Sequence, residues 1–293
     1  MKNAYHELVN HKLKRRIKKI EDFFDADCIT YGGYIDLDSS NAVKDALMDL
    51  AAKKKHQKLV FILTTPGGYI QGAERIVQVI RHYYKEIYFI IPDYAYSAGT
   101  VLCMSGDEIY MNYLSALGPI DAQIQTKEGK WVSVCGYLDK IDELIDKSKK
   151  DSADPDYISL PELQMLINFD LGEWGELVRT EKYATDRLQD FLIKYKFKNW
   201  KITEENKREV TDEYKKERAE EIAIKLSNNK WNHHGKPLNI EILTTELKLR
   251  INDYSDDEKL SKIIHSYYSL FEETSKNINI FEERIIHTRR IKL

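Results

Sequence analysis

Two continuous apolar runs, LVFIL at 59–63 and IYFII at 87–91, most constrain what this chain can fold into. Each falls far short of the roughly 20 residues that a membrane-spanning helix needs. Neither alternates polar with apolar residues as a strand with one wet face does, so both read as strands buried on both sides. The loop 64–68 and a helix with Ala73, Ile76, Val77 and Ile80 on one face lie between them. Upstream come a strand around Cys28–Ile35 and a helix whose stripe is Val43, Ala46, Leu47, Leu50 and Ala51. Buried strands that alternate with amphipathic helices predict a parallel sheet covered on both faces and joined by right-handed crossovers.

The remaining segments extend this pattern and then leave it. Leu13, Ile17, Ile20 and Phe24 recur at helical spacing among lysines and arginines, which predicts an amphipathic lead-in helix over 13–24. Past the second buried run, a small-residue helix is expected from Ser97 to about Ser105, then a strand near Glu108–Met111. Beyond about residue 136 the chain is rich in Lys, Glu and Asp, and helices are expected near 137–150, 160–197 and 203–228, with Pro155 and Pro161 as breaks. The tail from about 252 reads as one more helical segment. The expected organisation is therefore an α/β core over 1–136 and a mainly helical part over 137–293.

Composition narrows the function classes. Charged residues make up 32% of the chain, yet the net charge is only −3. Mixed signs of this kind do not form a polyanion-binding body, so no nucleic-acid partner is expected, and the basic clusters at 53–58 and 194–201 read as solvated helix faces and ends. Three cysteines, Cys28, Cys103 and Cys135, are an odd number in a chain too large to need disulfide staples. Free thiols, no export signal and no apolar run of spanning length together predict a cytoplasmic protein. No GxGxxG fingerprint and no His/Cys/Asp zinc spacing occurs, so neither a cofactor nor a metal is expected. Cys103 reads as a core thiol.

Three short segments carry chemistry. Thr65-Pro66-Gly67-Gly68, Tyr96-Ser97-Ala98-Gly99-Thr100 and Leu117-Gly118-Pro119-Ile120-Asp121 follow successive strands, at the edge where open α/β sheets place their sites. Gly67 and Gly68 permit a sharp turn that exposes amide hydrogens. Ser97 opens a helix, where unpaired amides favour a neighbouring anion. Acyl transfer needs a hydroxyl nucleophile beside donors for the tetrahedral oxyanion, and Ser97 with the Gly68 and Ala98 amides meets that need. Taken singly, each motif is also what an ordinary turn or helix cap looks like.

The stretches TTPGGYIQGAERIVQVIR, IPDYAYSAGTVLCMSGDEIYMN and LGPIDAQI together resemble the Clp-fold serine peptidases, in particular the serine dehydrogenase proteinase group related to signal peptide peptidase A. The segment 226–251, LSNNKWNHHGKPLNIEILTTELKLRI, is similar to that group's terminal pattern of Trp, His and Pro before a helix. The resemblance implies a Clp/crotonase-like spiral of strand-helix units, to which 226–251 returns. It also implies a nucleophilic Ser97, an oxyanion hole from Gly68 and Ala98, and assembly into dimers or rings.

For the base, the resemblance favours His233, with Asp121 as its orienting carboxylate; an imidazole accepts a proton near neutrality. His234 is its immediate neighbour. Lys140 stands where signal peptide peptidases carry a Lys, but Asp139, Asp142 and Glu143 around it stabilise the ammonium and favour a solvated surface role. The leading expectation is a serine peptidase acting on peptides or unfolded proteins, served by a separate ATPase or regulatory partner. A crotonase-like acyl-CoA enzyme and an inactive scaffold that binds a partner protein stand as alternatives.

Overall fold

A computed structural model describes residues 2–52, 56–125, 131–168, 170–203, 207–227, 235–278 and 284–288. The chain opens with α1 (Lys2–Phe24), β1 (Asp27–Gly33), α2 (Leu37–Ala51), β2 (Lys58–Thr64), α3 (Ile70–Tyr83) and β3 (Glu86–Ile91). Then follow β4 (Tyr94–Ala95), α4 (Ala98–Met104), β5 (Glu108–Met111), β6 (Ala116–Leu117) and the short antiparallel pair β7 (Gln123–Gln125) and β8 (Trp131–Ser133). The second half comprises α5 (Val134–Ser148), α6 (Leu160–Ile167), α7 (Leu171–Phe191) with a π turn at Leu192–Lys196, and α8 (Asp212–Ser227). It ends with α9 (Ile240–Thr245), β9 (Asn252–Asp253), α10 (Glu258–Ile278) and β10 (Arg284–Thr288).

The central sheet has strand order β10-β1-β2-β3-β5-β9. All neighbours are parallel except β10, which runs antiparallel to β1. Strand side chains alternate between two cores, as the pleat requires. Leu59, Phe61 and Leu63 of β2, with Ile87, Phe89 and Ile91 of β3, face a core shared with α2, α3, α4, α7 and α8. Val60, Ile62 and Ile90 face the other side, against Leu13, Ile17 and Ile20 of α1 and Leu260, Ile264 and Tyr267 of α10. A sheet sandwiched in this way explains why the two apolar runs are continuous. The mixed, largely parallel α/β architecture fits the Clp/crotonase-like class.

Three expectations for the second half need correction. The helix expected over 203–228 begins only at Asp212, because the chain before it forms a bridge between Ile202 and Glu209. The Thr211 hydroxyl accepts from the Tyr214 amide and marks the true start. The helix expected over 160–197 is divided near Asp170, whose carboxylate accepts from Gly172 N at 2.6 Å. The tail holds α10, but also two strands that close the sheet at opposite edges.

Strand β10 is fastened through a buried polar chain. His287 lies opposite Thr30 in the register, its Nδ1 is 2.8 Å from the Tyr267 hydroxyl, and that hydroxyl is 2.7 Å from Thr30 Oγ1. Among the described residues His287 Nε2 has no hydrogen-bond partner. Burial, aided by Lys14, pushes the imidazole down to about 3. The unfolded chain takes up a proton near pH 6.5 that the folded one refuses, so stability falls as pH drops from about 6.5 toward 3. In urea titrations, the step from pH 7 to pH 5 should cost about 2 kcal/mol through this group. His287→Gln should lose that component, and an unchanged pH dependence in the variant would refute the assignment.

Candidate active site

The three motif-bearing loops all leave the carboxyl ends of parallel strands, after β2, β3 and β5, and backbone hydrogen bonds stitch them together. Thr65 N donates to Tyr94 O, and Tyr96 N donates to Thr65 O, both at 3.0 Å. The buried Thr65 hydroxyl accepts from Gly67 N at 3.0 Å. On the far side, Ile35 N donates to Gly67 O and Tyr69 N donates to Ile35 O, both at 2.8 Å. The Gly67-Gly68 strip is thus held between the segment at Ile35 and the turn that carries Ser97.

Both glycines are required there. Gly67 has φ +107° and Gly68 has φ +143°, conformations that residues with a Cβ rarely adopt. A Cβ on Gly67 would lie 2.7 Å from Tyr96 O and 2.8 Å from Ser97 Cβ, and one on Gly68 would lie 2.0 Å from Ile35 O. Contact this close brings bare backbone directly against the serine.

Ser97 occupies the turn between β4 and α4 with φ +50° and ψ −117°. For a residue with a side chain this is a sparsely populated conformation, costing roughly 1–3 kcal/mol, and such conformations cluster at functional sites. Its side chain is partly exposed and makes no capping hydrogen bond, so the ordinary cap role is not the one it plays. Behind it, every residue of α4 is buried. Among the described residues, the amides of Gly68 and Ala98 donate to no protein acceptor, which for Ala98 follows from its place in the first helical turn.

The third loop meets the second half of the chain. Asp121 is buried, at 7% exposure. Ile120 N donates to Leu226 O at 2.9 Å, and Leu117 exchanges two backbone hydrogen bonds with Leu238, at 3.0 and 2.8 Å. His233 and His234 lie outside the described residues. Lys140 is exposed on α5, with Nζ 2.9 Å from both carboxylate oxygens of Glu143. Burial pushes the Cys103 thiol up. Cys135 is raised likewise, by burial and then by Glu181, whose Oε1 lies 2.9 Å from its sulfur. Among the described residues no group of three His, Cys, Asp or Glu side chains is placed to hold a metal ion, and no helix is long and apolar enough to cross a membrane.

The turn expected at Gly67-Gly68 and the helix start expected at Ser97-Ala98 are both present, whereas the part played by the Thr65 hydroxyl in holding that turn was not anticipated. A Thr two residues before a Gly is a known turn-former, and that was the available signal.

Residues 16–149 match the family model of ClpP-like SDH-type serine proteinases. The chain is also similar to two uncharacterized proteins of Methanocaldococcus jannaschii. One is 25% identical over 198 residues, covering 68% of this chain and 55% of its own length. The other is 26% identical over 194 residues, covering 65% and 51%. The chain thus spans about half the length of the curated relatives it matches.

The conformation of Ser97 generates a test that needs no substrate. Glycine relieves the positive φ but gives the unfolded chain more freedom, so Ser97→Gly should raise stability by a net of about 1 kcal/mol, where most Ser→Gly changes lower it. Gly67→Ala should lower it by about 2 kcal/mol or more, through the clash with Tyr96 O. Chemical denaturation checks both, and a destabilised Ser97→Gly variant would show that the turn carries no strain.

Proposed function

Since residues 16–149 are of the ClpP-like SDH-type serine proteinase family, we propose that this chain is a serine peptidase that cleaves peptide bonds through an acyl-enzyme on Ser97. The observation that carries the reading is the Ser97 turn itself: a serine held at φ +50°, free of any capping bond, against a bare glycine strip. Two amides without protein acceptors, those of Gly68 and Ala98, flank it and serve as oxyanion donors. A crotonase-like thioester reaction needs no hydroxyl at this position, so a strained serine there favours acyl transfer.

In the proposed reaction Ser97 Oγ attacks the scissile carbonyl carbon while its proton passes to His233. The negative charge that develops on the carbonyl oxygen is met by the two amides. His233 then returns the proton to the leaving amine, the C–N bond breaks, and water releases the acyl group by the reverse of the first step. Asp121 orients the imidazole and stabilises its charged form. His233 falls in the chain between Leu226 and Leu238, and both of these bond to the strip 117–120 that ends at Asp121, which supports this pairing. Lys140 is a poor base by comparison, because it lies exposed on α5 with its Nζ engaged by both carboxylate oxygens of Glu143. Peptides and unfolded proteins are the proposed substrates. The working form is a homo-oligomer, a dimer or a ring, served by a separate ATPase or regulatory partner.

Labelling with a fluorophosphonate tests this. The wild type should label at one site, Ser97→Ala should not label, and His233→Ala should label and hydrolyse at least a thousandfold more slowly. A wild-type protein that stays unlabelled in its assembled form would overturn the peptidase reading. Normal labelling in His233→Ala would overturn the choice of base alone.

A further inference from the structure

Thr100 stands in the first turn of α4, fully buried. The Gly118 amide donates to its hydroxyl at 3.0 Å, and the hydroxyl lies 2.9 Å from the carbonyl oxygens of both Ala95 and Gly118. A hydroxyl has a single proton, so the two carbonyls share it while the oxygen accepts from Gly118 N. The location gives these bonds their meaning. Ala95 and Leu117 are the last paired residues of β4 and β6. Past that pair the two chains part, one turning through Tyr96 into Ser97 and the other through Gly118 toward Asp121.

Thr100 therefore closes the fork from which both halves of the site diverge. Gly118 is pressed into the same place, since a Cβ on it would lie 2.8 Å from Tyr96 Cδ1. Valine would fill the Thr100 site equally well, so packing alone does not call for a hydroxyl. The three polar contacts do.

We propose that Thr100 is a positioning residue of the reaction, whose hydroxyl locks the Gly118–Asp121 loop to the Ser97 turn and so sets the alignment of the acid–base groups with the nucleophile. The proposal rests on the peptidase reading and adds to it a residue that never touches substrate. Its function passes through Asp121. Removal of the hydroxyl leaves the Gly118 amide without its acceptor and frees the loop from the Ser97 turn at that point, while its bonds to Leu226 and Leu238 and the bonds that fix the Gly67-Gly68 strip remain.

The test compares Thr100→Val with Thr100→Ser. In Thr100→Val, fluorophosphonate labelling and kcat for a peptide substrate should fall about ten- to hundredfold, the scale on which small misalignments act, with KM nearly unchanged. The acid limb of the rate–pH profile should also move, because the base loses its oriented partner. Thr100→Ser keeps the hydroxyl and should recover the rate to within about threefold and the wild-type profile. Should Thr100→Val fail to fold, Thr100→Cys, of similar size and with a weak donor, takes its place under the same expectations. A folded Val or Cys variant with wild-type labelling rate and pH profile would overturn the role of Thr100 and leave the peptidase reading intact. So would a Ser variant as impaired as Val. A wild-type protein that does not label would instead remove the reading on which the proposal rests.

Discussion

The close approach of the Gly67-Gly68 backbone to Ser97 is the constraint on which the rest of the site depends. Ile35 O stands on one side of this strip and Tyr96 O with Ser97 Cβ on the other, at distances that admit no side chain between them. The hydrogen bonds that fix the strip run from Ile35 N to Gly67 O and from Tyr69 N to Ile35 O. They consume the polar groups on either side of Gly68 N and leave that amide for the proposed oxyanion. A donor held in place by the bonds of its neighbours needs no reorganisation when charge develops in front of it, and that is what makes oxyanion stabilisation effective.

Such a turn persists only where its surroundings overdetermine it. Here the sheet supplies the support. Residue by residue, β2 and β3 send side chains into both cores, so neither strand can slide without exposing one apolar set or the other. Every residue of α4 is buried behind Ser97, and Thr65 ties the end of β2 to the segment that precedes the serine. Relaxing φ of Ser97 would require α4 to shift within a packed layer, which resists displacement.

What the sequence made legible follows from this arrangement. The buried strands β2 and β3 could be read because burial on both faces leaves an uninterrupted apolar run, and their helices because one stripe faces the sheet. The turn at Gly67-Gly68 and the helix start at Ser97-Ala98 could be read because tight turns and helix starts have local residue preferences. Strand β10 could not: its five residues pair with β1 across most of the chain, and nothing in RIIHT announces that partner. Charge-rich segments misled in the other direction, since the Lys/Glu pattern before Asp212 has helical composition but the described residues there pair Ile202 with Glu209. The positive φ of Ser97 and the convergence of three carbonyl and amide groups on Thr100 are likewise products of packing at long range. No local pattern encodes them.

The two halves of the proposed machinery are therefore supported by different means. The nucleophile and its donors are held by bonds among β2, β4 and α4, all from the matched family segment. The base side depends on contacts made late in the chain, where Leu226 and Leu238 bond to the strip 117–120. An alteration near those two leucines can disturb proton transfer while leaving the oxyanion donors in place, whereas an alteration at Gly67 or Gly68 disturbs the donors and the serine together. Thr100 lies at the junction of the two systems, bonded to Ala95 on the nucleophile side and to Gly118 on the Asp121 side. Its hydroxyl thus links the locally encoded turn that carries the proposed nucleophile to the loop of the proposed acid–base arm, whose supports come from distant sequence.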